Sequence, residues 1–174
     1  MSKIKILEIV AGVLVLAGIV FYFNSGGFCG GKNLNLRVRG NSMTGIIEEG
    51  DRVKIRTGYY DCHDVKRGDV VAYKYAKEDL IIKRVVAVPG DTWSVSAATG
   101  EKGFFSIIVN GLEQETTLGK KYRINEGQAK MLSLYKSPVQ KDAYMILGNL
   151  PEGTQDSTRF GLIGRRDIVG RAFY

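Results

Sequence analysis

The sequence predicts a mainly β fold: an antiparallel, barrel-like domain that follows one N-terminal membrane-spanning helix. Three observations predict it. Short β-branched and aromatic runs recur between Gly, Pro, Asn and Asp. Only one stretch outside the N-terminus has a helical pattern. A charge-free apolar run lies near the start of the chain.

Residues 9 to 23, IVAGVLVLAGIVFYF, form that run, and Ile4, Ile6 and Leu7 extend it backwards past Lys5 and Glu8. About twenty helical residues span about 30 Å, the thickness of a bilayer's hydrocarbon layer. Lys5 and Glu8 sit near one interface, and Phe21, Tyr22 and Phe23 fit an aromatic belt at the other. No small-x-small cleavage site closes the run, and Phe28 before Cys29 does not fit a lipoprotein site. The run therefore reads as a retained anchor, 1–23. Lys3, Lys5 and the terminal amine ahead of it place the N-terminus in the cytoplasm and the remainder on the outer face of the cytoplasmic membrane. Lys32, Arg37 and Arg39 follow the anchor closely and pull against that orientation.

Residues 24–33, NSGGFCGGKN, read as a linker, and 34–174 as a single domain. LNLRVRG and DRVKIRT alternate apolar and polar at period two. DVVAYKY, LIIKRVVAVPGD, FFSIIVNG and YMILGN are further strands. EGQAKMLSLYK, 126 to 136, is the one expected helix, and 97–142 is the least regular part, an excursion from the main sheet. Twenty-two glycines against three prolines fit many short turns. The 44% hydrophobic and 25% charged composition excludes wholesale disorder. The net charge of +7 is dispersed and no nucleic-acid motif appears, so an anionic lipid surface is the expected partner and nucleic acid is not. Cys29 and Cys62 admit either a disulfide or two thiols. With one histidine, His63, they make no metal site.

GNSMTGIIEEGD, residues 40 to 51, sets Ser42 in a glycine-flanked turn. A serine hydroxyl is a poor nucleophile until a base takes its proton. His63, in the polar stretch YYDCHDVKRGD, is one candidate. The other is Lys83 in LIIKRVVAV, with Ile81, Val85 and Ala87 on its face of a regular strand. A lysine needs burial to lose its charge near neutral pH.

GNSM…GD, RGDVVAY (67–73), IIKRVVAVPGD (81–91) and GNLPEGTQDSTRFG (148–161) occur in one order. Together they resemble the type I signal peptidases, membrane-bound serine proteases with a Ser-Lys dyad, over most of 35–174. The resemblance implies the fold of that family and the removal of signal peptides from exported preproteins with small residues before the cut. No cofactor or metal is implied. It makes Ser42 the nucleophile, Lys83 the general base and Arg84 its neighbour. Met43 shapes the substrate cleft, and Gly148 opens the last motif. Thr154 matches the hydroxyl that orients the lysine amine, and Asp156 supports that corner. Gly40 and Asn41 form the oxyanion turn. Gly40 has no hydroxyl to offer, so the Ser42 N–H carries that role.

The chain departs from the family pattern in three places. Met43-Thr44-Gly45-Ile46-Ile47 replaces Met-x-Pro-Thr-Leu, and Gly148-Asn149-Leu150 replaces Gly-Asp-Asn. Arg159 stands one place late, which argues against an Asp156–Arg159 pair. These departures leave room for a specialised pilin-maturation peptidase of conjugative transfer, or for a catalytically lapsed, membrane-anchored binding module.

Overall fold

The computed structural model describes residues 31–76 and 79–174. The expected anchor and most of the linker lie outside these residues. Among the described residues no helix is long and apolar enough to cross a membrane.

The strands are β1 (Asn33–Arg37), β2 (Arg52–Thr57), β3 (Val70–Tyr75), β4 (Asp79–Ala87), β5 (Trp93–Ala97) and β6 (Phe104–Val109). They continue with β7 (Leu112–Glu113), β8 (Ile124–Asn125), β9 (Ala143–Leu147), β10 (Ile163–Gly164) and β11 (Ile168–Phe173). Among the described residues, two short α-helices, α1 (Glu126–Ser133) and α2 (Ser157–Phe160), accompany the strands, with 3₁₀ turns at Tyr59–Asp61 and Arg165–Asp167. Every strand pairing among the described residues is antiparallel.

A seven-stranded sheet runs β1-β2-β11-β3-β4-β9-β10, and a smaller sheet runs β5-β6-β7 with β8 against β6. The stretch 97–142 thus holds β6, β7, β8 and α1, ordered by local pairing. Asn110 and Gly111, both at positive φ, close the β6–β7 hairpin, the backbone a tight turn of that hand requires. Asn125 caps α1 in a reciprocal box with Gln128, and the helix stops at Ser133, three residues short of the expected 136.

Period-two patterning explains the faces. In β2, Val53 and Ile55 are buried while Arg52, Lys54 and Arg56 are exposed. In β9, Tyr144 to Leu147 are all buried, because that strand lies under both layers of the core. Met145 and Leu147 pack with Ile107, Tyr122, Ile124 and Leu132 between the sheets. Met43, Ile47, Val53, Ile55 and Ala72 form a second cluster beneath the turn that carries Ser42.

Candidate active site

The turn is built by its apolar residues. Met43 and Ile47, 2% and 1% exposed, are driven into the core. The Ile46 and Ile47 N–H groups donate to the Met43 carbonyl at 2.9 Å, and the Thr44 N–H donates to the Asn41 carbonyl at 3.0 Å. With its neighbour plugged inward, Ser42 is left half-buried at the surface. Its own N–H donates to no group among the described residues, which leaves a backbone donor beside the hydroxyl. Gly40 has φ of 82°, a conformation glycine adopts without strain. Gly40 and Asn41 are both exposed.

Lys83 comes from β4, held by β3 through the pair Val71↔Lys83 and by β9 from Arg84 onward. It is 2% exposed. Its Nζ is hydrogen-bonded to Ser42 Oγ at 2.8 Å and donates to the Ile82 carbonyl at 2.9 Å. Burial lowers its pKa from 10.5 to about 8, against an opposing pull from the Asp156 carboxylate. Desolvation dominates, as it does for a lysine lacking an adjacent carboxylate.

Asp156 is fully buried and organises the third side. Oδ2 accepts from Gly148 N, Thr154 N and Thr154 Oγ1, and Oδ1 accepts from Thr158 N and Thr158 Oγ1. The Thr154 hydroxyl therefore donates to Asp156 and makes no hydrogen bond to Lys83, unlike the role the resemblance implied. Asp156 also caps α2. Arg159 lies on that helix, exposed, with no ion pair to Asp156. A β-carbon on Gly148 would stand 2.3 Å from Thr154 Oγ1 and 2.7 Å from the Ser42 carbonyl. Only glycine fits there.

Three further residues join the site. Asn149, 2% exposed, donates its N–H to the Ser42 carbonyl at 2.7 Å. Its Nδ2 donates to the Thr44 carbonyl at 2.7 Å and to Thr117 Oγ1 at 2.8 Å, while Oδ1 accepts from the Thr117 N–H at 2.9 Å. Tyr122 is fully buried and its hydroxyl donates to the Gly148 carbonyl. Arg84 donates to the Glu115 carbonyl at 2.7 Å and to the Tyr122 hydroxyl at 3.5 Å. The change from the family's aspartate to Asn149 was visible as a departure, but its partners 32 and 105 residues away were not. His63 lies elsewhere in the site map: its ring stacks on Tyr59 at 4.2 Å and Nδ1–H donates to the Tyr59 carbonyl at 2.8 Å. Cys62 is disulfide-bonded, while Cys29 lies outside the described residues.

A cleft of about 360 Å³ leads to Ser42 and Lys83, lined by Leu36, Val38, Met43, Leu80, Ile81 and Ile82 together with Arg37 and Arg39. On one side is β1, an edge strand. On the other, β4 lacks a second partner before Arg84. Two open strand edges thus face one groove, a geometry suited to an extended peptide. A serine beside a buried amine and an unpaired backbone N–H has the parts for acyl transfer.

Residues 6–174 match the family model described as signal peptidase, peptidase S26. The chain is 30% identical over 148 residues to signal peptidase IB of Staphylococcus aureus strain COL, covering 79% of this chain and 74% of that one. It is 28% identical over 141 residues to a probable signal peptidase I-2 of Synechocystis, covering 76% and 58%. A crystal structure of a signal peptidase I from Enterococcus faecalis aligns with a TM-score of 0.38 at 18% identity, over 63% of this chain and 97% of that one. The chain belongs to the signal peptidase family, peptidase S26, and is a serine endopeptidase.

Proposed function

We propose that this endopeptidase removes signal peptides from exported preproteins, with Ser42 as nucleophile and Lys83 as general base. The 2.8 Å contact between Lys83 Nζ and Ser42 Oγ is the observation that carries the reading. Neutral Lys83 takes the Ser42 proton as Oγ attacks the scissile carbonyl. The Ser42 N–H stabilises the oxyanion, Lys83 protonates the leaving amine, and an acyl-enzyme ester remains on Ser42. Water, deprotonated by the same amine, then hydrolyses the ester. Asp156 and Asn149 act through other groups: Asp156 fixes Gly148 and Thr154, and Asn149 fixes the carbonyls of the nucleophile turn.

The aliphatic residues of the cleft and its two open edges support binding of an extended segment with small residues at the first and third positions before the cut. The apolar run 9–23 supports a single-pass anchor in the cytoplasmic membrane, with the peptidase domain outside and anionic lipid as a neighbour. A disulfide at Cys62 fits that oxidising side. Holding enzyme and substrate in one bilayer raises their effective concentration.

The test is cleavage of a membrane-anchored preprotein, with alanine at both recognition positions, by the purified full chain in detergent. Wild type is expected to cut once after the second alanine, and Ser42→Ala and Lys83→Met to lose at least a thousandfold in kcat/KM. Full activity of Lys83→Met would remove Lys83 as base.

A further inference from the structure

A second groove among the described residues lies outside the catalytic cleft. It encloses about 1170 Å³ on the outer face of β1, β2 and β11, and Arg37, Arg52, Lys54, Arg56, Phe173 and Tyr174 line it. No carboxylate side chain lines it. The four cations have no ion-pair partner among the described residues. Arg37 only donates Nε to the Gly50 carbonyl, and Arg56 only stands over the Tyr59 ring, at 5.8 Å.

The register makes this arrangement unfavourable in isolation. Arg37 lies directly opposite Arg52, and Arg56 directly opposite Arg171. Like charges facing each other across a strand pair are destabilising. Of these, only Arg171 is neutralised, by Asp69 at 3.2 Å. Phe173, opposite Lys54, and Tyr174 are exposed at 42% and 66%. Cations mixed with exposed aromatics match the composition of a protein surface at a headgroup layer.

The groove's place in the chain points the same way. The apolar run ends at Phe23, ten residues before Asn33 opens β1. Ten residues reach at most about 35 Å, so a membrane-held run would keep the start of β1 within that distance of the bilayer. Residues 9–30 hold no carboxylate to neutralise it. Leu36 and Arg37 line both this groove and the catalytic cleft, so the two are continuous. A substrate leaving the bilayer for Ser42 would cross the same layer.

We propose that this basic face docks on the anionic phosphate headgroups of the bilayer and orients the cleft toward the membrane. The inference rests on the membrane-held reading above. A cation close to an anionic bilayer contributes about a fivefold gain in partitioning, and the attraction weakens as salt screens it.

The test uses the full chain in nanodiscs of phosphatidylcholine with 0 or about 30% phosphatidylglycerol, containing a headgroup spin-labelled lipid. Phe173→Trp reports on the face, and wild type supplies the Trp93 blank. Stronger quenching of Trp at position 173 in the anionic discs, reduced severalfold by high salt and by Arg52→Glu/Lys54→Glu/Arg56→Glu, is expected. Equal quenching in neutral and anionic discs overturns the proposal. So does weak quenching in both, which would mean that a chain segment or a protein partner covers the face. Thermal melting of the triple variant verifies that it folds. Cleavage of a short peptide in detergent, measured in parallel, separates the two readings. If wild type is inert there, the peptidase assignment fails. If it cuts while docking ignores lipid charge, only the docking proposal fails.

Discussion

Lys83→Met should abolish activity and yet stabilise the protein at neutral pH. In the unfolded chain the amine titrates at 10.5, and in the folded protein at about 8. Each pKa unit is worth about 1.4 kcal/mol, so below pH 8 the folded state carries a penalty of about 3 kcal/mol for this one proton. The sign follows from linkage. The folded pKa is depressed, so between pH 8 and 10.5 the unfolded chain binds more protons and wild-type stability rises with pH. Below pH 8 both states are protonated and the penalty is constant. Methionine has a similar length and no charge, so it lifts the penalty. It also loses the bonds to Ser42 Oγ and the Ile82 carbonyl, about 1 kcal/mol each. The net expectation is a gain of about 1 kcal/mol at pH 7 that becomes a loss of about 1–2 kcal/mol by pH 10.5. Urea unfolding of both proteins across that range measures it. A difference between the two that does not change from pH 7 to 10.5 would refute the depressed amine and the desolvation it rests on.

Three other outcomes follow from the same geometry. On the proposed mechanism only the neutral amine can take the Ser42 proton, so with the amine pKa lowered to about 8 the pH profile of kcat/KM should rise tenfold per unit and level off near pH 8; a profile flat from pH 6 to 9 contradicts this. Asn149→Asp keeps the shape but loses the Nδ2 donors to Thr44 and Thr117, so kcat should fall about tenfold and stability by about 1–3 kcal/mol, read by steady-state kinetics and thermal melting. Gly148→Ala forces a methyl against Thr154 and the Ser42 carbonyl, so it should destabilise by about 1–3 kcal/mol or more and eliminate cleavage; a variant with wild-type melting and rate would mean that the corner yields easily.

Much of the sheet was legible because its residues obey local rules. Val53 and Ile55 alternate with cations in β2, and that period alone sorts inside from outside. The pairing of Ser42 with Lys83 came from a different source: a lysine in an apolar run reads by itself as an ordinary edge-strand residue, and only the order of the four motifs, through the family resemblance, set it beside Ser42, where the structure has the two 2.8 Å apart. What could not be read depends on contacts between distant segments. Asn149 reaches Thr44 across 105 residues. Thr154 could serve either Lys83 or Asp156 until the chain closes on itself, and in the fold its hydroxyl donates to Asp156. The second sheet was obscured because β7 and β8 have two residues each, too short to show a period. The like-charged pairs on the outer face exist only once register is known.

The most direct measurement of the central assignment is mass spectrometry of an acid-quenched reaction between the full chain and a preprotein. An acyl ester on Ser42, within the stretch 40–51, that is absent from Ser42→Ala together with all cleavage, is the predicted result. Cleavage that persists in Ser42→Ala, or an acyl group carried by another residue, would contradict it.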